Sequence, residues 1–320
     1  MKGYTSNLLH EILNRASASW FDGESEGEAT QHLLGSLYQN ASKTNTVAVT
    51  AATAKTGARL TDFSSLLDHT SGLESILSNC RMIDSTVDLL ITSLIDTESF
   101  GSGFTATQRI ASEITSPMLS IADEIYSSPA ALSEILGMTQ QLGDLHEKKI
   151  TISWGFGSRF DLPNVAHSMA LLLPMLGADV TIAAPTDFGL LKRVIREASS
   201  VANSFDREIQ TTNNFDSIFS ASDAIFACNW RRFDDYQRPE RNEDVAANYR
   251  NWYFESDIIP SQCKFFSPSP VQTDLLADAA TVARFSSSLD EWLKRKIFIL
   301  VTTMEIMLKW DTAKAPLVLL

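Results

Sequence analysis

Three cysteines in 320 residues, Cys80, Cys228 and Cys263, are too few and too widely spaced for a disulfide framework or a cysteine-rich metal site. They read as reduced thiols. No apolar run approaches the roughly 18 residues needed to cross a bilayer, and the opening MKGYTSNLLHEIL lacks the apolar core of a signal peptide. The expected compartment is therefore the cytoplasm, with no membrane partner. Cations are also scarce: 26 Lys and Arg against 39 Asp and Glu give a formal charge of −13. With no basic stripe to offset it, that charge repels nucleic acid and leaves any anionic substrate dependent on local donors.

Generic catalytic signatures are missing as well. There is no Walker sequence and no GxSxG. The five histidines (His10, His32, His69, His146, His167) form no HxxxH or HExxH spacing, so no metal is expected. Gly155-Phe156-Gly157 follows an apolar strand pattern, but Phe160 occupies the third glycine position of a dinucleotide fingerprint. The next strand pattern ends in Ala183-Ala184-Pro185, with no acid for a ribose, and no cofactor is expected. Asp234, Asp235, Glu240, Glu243 and Asp244 read as a solvated acidic loop. His167 reads as a helix-face residue.

What is present is a repeated strand and helix alternation, clearest over residues 148–185. Ile150, Ile152 and Trp154 alternate with small polar residues, and glycines then open a turn. Val165, Met169, Leu172, Leu173 and Leu176 recur at helical spacing before Gly177, and Val180, Ile182 and Ala184 form the next strand. This is a βαβ unit, which places residues 155–164 at a ligand crevice beyond the strands' carboxyl ends. Upstream, helices are expected over 4–16, 46–56, 73–82 and 105–114, and strands over 32–39, 59–63, 87–92 and 118–122. A long helix over 127–142, with Ser128-Pro129 as N-cap and first-turn proline, leads into the second half. There a helix over 188–202, strands at 224–228 and 263–266 and a terminal helix over 289–308 follow. The stretch 231–251 reads as irregular, and the apolar tail after Lys309 as packed on a neighbouring subunit or disordered. The fold class is α/β: two domains, each a parallel β-sheet flanked by helices, joined by long inter-domain helices.

Together these pieces resemble the aspartate/ornithine carbamoyltransferase family, from about Leu8 to Met307. The long helix after an X-Pro step, the GDLHEKKI lead and the phrase Asn164-Val165-Ala166-His167-Ser168 are similar to ornithine enzymes. Trp154 and Ala227-Cys228-Asn229-Trp230 look more like the acetyl- and succinylornithine branch. The resemblance implies a donor domain over 1–127, an acceptor domain over 128–288, and a returning helix and tail over 289–320. It also implies a trimer, or a mixed oligomer with a related subunit. Acceptor-site candidates carried over on this basis are Asn164, Ser168, Cys228, Trp230, Ser267 and Pro268, the last two standing in the family's His-Cys-Leu-Pro loop. The family's Ser-Thr-Arg-Thr turn for carbamoyl phosphate falls on Ser42-Lys43-Thr44-Asn45, so Thr44 replaces an arginine. Ser93 replaces a second arginine, and Glu291 a third. Ser128-Pro129-Ala130-Ala131 stands in place of His-Pro-x-Gln. Ser42, Lys43, Thr44, Asn45, Thr46, Ser93 and Ser128 are thus the donor-side or anion-binding candidates, and no catalytic residue is named.

A charge-assisted hydrogen bond contributes about 1.5–3 kcal/mol. Losing three arginine sites would cost roughly 5–9 kcal/mol, on the order of a thousandfold to a millionfold in affinity. Two readings follow. One is a divergent family protein that binds an amino-acid-like or amide-like molecule in its crevice with an altered donor. The other is a catalytically silent structural or regulatory homologue that assembles with an active subunit.

Overall fold

The computed structural model describes residues 3–22, 31–67, 72–309 and 317–319. His69 and most of the tail after Lys309 lie outside the described residues. Two compact units emerge, Met1–Ala130 with Lys296–Leu320, and Ala131–Arg295.

In the first unit, α1 (Ser6–Asp22) precedes β1 (Leu33–Gln39), α2 (Lys43–Lys55), β2 (Arg59–Asp62), α3 (Leu73–Asp84), β3 (Leu89–Leu94), α4 (Ser102–Glu113) and β4 (Met118–Ala122). Helix α5 (Ser128–Leu142) begins in the first unit and ends in the second. The second unit continues with β5 (Lys149–Trp154), α6 (Asn164–Met175), β6 (Asp179–Ala183), α7 (Lys192–Ser204), β7 (Ile209–Thr212), β8 (Ala224–Cys228), α8 (Pro239–Ala246), β9 (Lys264–Phe266), α9 (Ala279–Arg284) and α10 (Ser286–Asp290). Helix α11 (Trp292–Leu308) returns to the first unit, followed by β10 (Val318–Leu319). No helix among the described residues is long and apolar enough to cross a membrane.

Both sheets are wholly parallel, ordered β10-β4-β3-β1-β2 and β7-β6-β5-β8-β9. Strands β3, β4 and β8 are buried along their whole length. Parallel strands covered by helices on both faces need apolar side chains throughout, which is why LLITSL, MLSIA and AIFAC do not alternate. The chain leaves β1 toward β2 on one side and returns to β3 on the other. It leaves β5 toward β6 and β7, then returns to β8. The switch points β1/β3 and β5/β8 are the positions where open parallel sheets bind ligands, at the strands' carboxyl ends.

Several elements depart from the sequence reading. β7 was not anticipated because it is a polar edge strand, IQTT, with one apolar residue. The stretch expected to be irregular contains α8, opened by Pro239 at its start, and the terminal helix is split into α10 and α11 at Glu291. Helix α5 starts at Ser128 itself. The tail was expected on a neighbouring subunit or disordered. Instead Val318 and Leu319 pair with Met118 and Leu119 at the sheet edge, each buried or partly so.

The start of β4 is tied to the end of α3 through Asp84. Its carboxylate accepts from Thr115 N at 2.9 Å, Thr115 Oγ1 at 2.8 Å and Ser116 N at 2.8 Å. Burial alone would raise this carboxyl. The hydrogen bonds from Ser116 and Thr115 outweigh it and hold Asp84 below its usual value. A depressed native pKa contributes stability that is present above the unfolded carboxylate value, near pH 4, and is lost as pH falls through the native one. Acid titration of the melting temperature should therefore fall less steeply below about pH 4 in Asp84→Asn than in the wild type. Equal acid slopes in the two proteins would remove Asp84 from the account.

Candidate functional site

At the β1/β3 switch point of the first unit, Ser42 caps α2 and its Oγ accepts from Asn45 N at 3.2 Å. Thr44 Oγ1 lies 3.1 Å from the same hydroxyl, and Thr46 Oγ1 donates to Ser42 O at 3.4 Å. Lys43, Thr44 and Thr46 are exposed, whereas Asn45 is buried. The turn contains no arginine, but it has a cation that sequence reasoning missed. Lys296 of α11, fully buried, donates through Nζ to Asn45 Oδ1. Its signal was its place five residues after Glu291, one helical turn and a half beyond the expected arginine.

Ser93 is buried at the carboxyl end of β3, where the β3/β4 register shifts between Thr92 and Ser93, and its Oγ has no hydrogen-bond partner. Ser128 is buried in the first turn of α5. The loop after β4 supplies an internal acid. Glu124, fully buried, accepts from Asp96 N at 2.6 Å, Gly103 N at 3.0 Å and Phe104 N at 2.9 Å, so its carboxyl caps α4. Burial raises its pKa despite those three donors. A methyl at Gly103 would meet Leu94 O at 2.1 Å and Glu124 Oε1 at 2.7 Å, so the approach of acid to helix requires glycine.

In the second unit, the tryptophans at the strand ends are structural. Trp154 Nε1 donates to Trp230 O at 3.0 Å and Trp230 Nε1 to Phe188 O at 2.7 Å, with both side chains fully buried. Trp154 stacks on Phe188 at 4.5 Å. Trp230, an acceptor candidate by sequence, offers neither surface nor donor to a ligand. Ser168 is fully buried in α6, and Asn164 is buried at that helix's first residue. His167 lies on the buried face of α6, where its Nε2 accepts from Leu191 N at 3.3 Å and its ring stacks on Phe233.

The remaining acceptor candidates come together. Cys228, Ser267 and Pro268 line one small depression at the carboxyl ends of β5, β8 and β9, with Arg159, Asp161, Asn229 and Gln272. The Ser269-Pro270 bond beside it is cis. Burial pushes the Cys228 thiol well upward, with Asp161 and Glu134 adding to the effect and Arg159 opposing it. It stays protonated at neutral pH and is no nucleophile. Of the arginines near these loops, Arg231 donates to Phe160 O at 2.9 Å and Arg232 pairs with Asp235 at 2.5 Å. Both hold loops in place. Arg159, half exposed and 3.7 Å from Asp161, remains at the depression. Among the described residues no group of three or more His, Cys, Asp or Glu is placed to hold a metal.

Residues 148–289 match the family model for the aspartate/ornithine carbamoyltransferase Asp/Orn binding domain. The family model, the curated relatives and the solved structures all support a likeness to the aspartate/ornithine carbamoyltransferase family. An ornithine carbamoyltransferase of Methanobrevibacter smithii is 23% identical over 134 residues, 42% of each chain, so that match spans less than half of the relative's length. The enzyme of Halalkalibacterium halodurans is 24% identical over 252 residues, 77% of this chain and 74% of that one. Among solved structures, acetylornithine transcarbamylase complexed with acetylcitrulline aligns with a TM-score of 0.83 at 15% identity, covering 95% of this chain and 96% of that one. Ornithine carbamoyltransferase from Pyrococcus furiosus aligns at 0.78 with 17% identity, covering 94% and 93%. At such identities these structures establish the two-sheet α/β fold of this chain.

Proposed function

We propose that this protein binds an amino-acid-like or amide-like small molecule at the carboxyl ends of the second unit's strands and has lost carbamoyl transfer from carbamoyl phosphate. The observation that carries the reading is the turn before α2. Its hydroxyls and amide bond to one another and to Lys296, and Thr44 takes the place of an arginine fork. A lysine supplies a point charge and no bidentate recognition of a phosphate, and here its ammonium is engaged with Asn45. The second unit, by contrast, keeps Asn164 at the start of α6 and a polar depression at its strand ends.

The test pairs two measurements. A colorimetric assay for ureido product, with carbamoyl phosphate and either ornithine or N-acetylornithine, should show no turnover above the uncatalysed rate. Calorimetry with ornithine, norvaline and their N-acetyl derivatives should show saturable binding of at least one. Turnover overturns the loss of the donor reaction, and absence of binding by all four overturns the ligand reading.

A second reading, a silent copy that supports an active relative in a mixed oligomer, draws on Glu124. A buried carboxyl at the carboxyl end of β4 opposes any anionic donor nearby. Co-purification with a catalytically active relative would favour it, and turnover by the isolated chain would remove it.

A further inference from the structure

We propose that the first unit carries a small-molecule site of its own, a cavity that takes an aliphatic ammonium, with Asp96 as the counter-charge and Phe100 as an aromatic wall. The cavity measures about 370 Å³, within the range of small-ligand sites. It lies at the carboxyl ends of β1 and β3, between the first turns of α3 and α4. None of the donor-side candidates of the α2 turn, nor Ser93 or Ser128, lines it. Solvent reaches it: Leu73, Phe100, Gly101 and Ser102 are half-buried, and a methyl at Gly72 or Gly101 would meet nothing within 4 Å.

The wall is built before any ligand arrives. Glu124 accepts from the amides of Asp96 and Gly103, two lining residues, and from that of Phe104, which ties the loop after β3 to the start of α4. Asp96 Oδ1 accepts from Glu98 N at 2.8 Å and Ser99 N at 2.9 Å, so the carboxylate is pinned by its own loop. Ser102 N donates to Ser99 O at 3.2 Å and Thr105 N to Gly101 O at 3.0 Å. All four amides that open α4 are therefore engaged by Glu124 or by the preceding loop, and this helix start has no donor left for an anion.

The chemistry of the lining selects the ligand. Asp96 is the only charged residue that lines the cavity among the described residues. Leu73, Ile76 and Ala106 supply apolar surface for a short carbon chain. A carboxylate and an aromatic ring in one cavity suit an organic cation, which the first attracts as a counter-charge and the second through its quadrupole. Glu74 in the first turn of α3 and the formal charge of −13 act in the same direction, drawing cations and repelling carboxylates. The ligand class is thus a primary ammonium on a chain of a few carbons.

The probes are n-pentylammonium, 1-pentanol and pentanoate, which share a chain and differ in charge. Titration of the isotope-labelled full chain, followed by nuclear magnetic resonance, reads both affinity and place. n-Pentylammonium should bind about tenfold more tightly than 1-pentanol and shift the amides of Gly101, Ser102 and Thr105, with pentanoate weaker than either. Asp96→Asn keeps an Oδ1 acceptor for the loop and should cut that preference to about threefold, the part left to the ring. Ala106→Leu sets a larger side chain into the apolar lining and should weaken ammonium and alcohol alike. If Asp96→Asn fails to fold, the three probes on the wild type and on Ala106→Leu still decide. Equal affinities of the wild type for ammonium and alcohol, tighter binding of pentanoate, shifts confined to the second unit, or no binding at millimolar concentration overturns the assignment. The outcome is independent of whether the second unit binds an amino-acid-like molecule, since the cavity is built from residues of the first unit alone.

Discussion

Replacing Arg295 by methionine is expected to destabilise the protein by about 3–5 kcal/mol, the cost of removing one member of a buried charge constellation. The side chain is 1% exposed. Its guanidinium lies against α5, where a methyl at Gly137 would come within 2.9 Å of Cζ. Nε donates to Ser133 O at 3.1 Å and Nη2 to Ser288 O at 2.5 Å. Burial lowers its pKa, with the charges of Glu134 and Glu291 opposing that shift, yet an arginine of this kind stays protonated at any working pH. Removal leaves two buried carbonyls without their donor and takes away a positive charge that interacts with the buried Glu134. Arg295→Met/Glu134→Gln should recover part of the loss, since the second change removes the carboxylate whose charge Arg295 opposes. Urea denaturation of the two variants checks this, and a single-variant loss under about 1 kcal/mol would mean that the charge is effectively solvated.

The other large effect belongs to the tryptophan relay of the second unit. Trp230→Ala should cost about 3–5 kcal/mol, because a fully buried indole is exchanged for a cavity in a close-packed interior. Trp230→Phe keeps much of the volume and removes only the donor to Phe188 O, for an expected cost of about 1–3 kcal/mol. The same pair of variants tests the claim that Trp230 is structural. Ligand affinity at the depression should be unchanged in Trp230→Phe under conditions where the protein is folded. A selective loss of binding with no change in the urea midpoint would return Trp230 to the acceptor candidates.

Much of the fold was legible because its causes are local. The βαβ unit around Trp154 was readable since a strand with small polar alternation, a glycine turn and a periodic apolar helix each carry their own signal. Strands without such signals were missed. β7 has one apolar residue, and β10 is two residues long, so both owe their existence to a neighbouring strand's unpaired edge and not to their own composition. The split at Glu291 and the helix in 239–246 were obscured for the same reason. Short polar helices are set by what they pack against.

The site was less legible than the fold. The family resemblance implied the absent arginine at Thr44 and gave Cys228, Ser267 and Pro268 as acceptor candidates, and the structure brought those three together at one end of the second sheet. The place of Lys296 beyond Glu291 marks it as a cation near the expected arginine, but only the structure pairs its side chain with Asn45, 251 positions earlier in the chain. Nor could Glu124 be seen as the cap of α4, or Asn229 as a buried amide with one atom satisfied and the other not. The sequence by itself determined that this is an α/β protein with two parallel sheets, that it is strongly acidic, and that it resembles a carbamoyltransferase with altered donor motifs. The tertiary structure decided which polar groups are spent and which are left over. Hydrogen-bond satisfaction depends on distances of a few ångströms between residues far apart in the chain, and no local pattern encodes those.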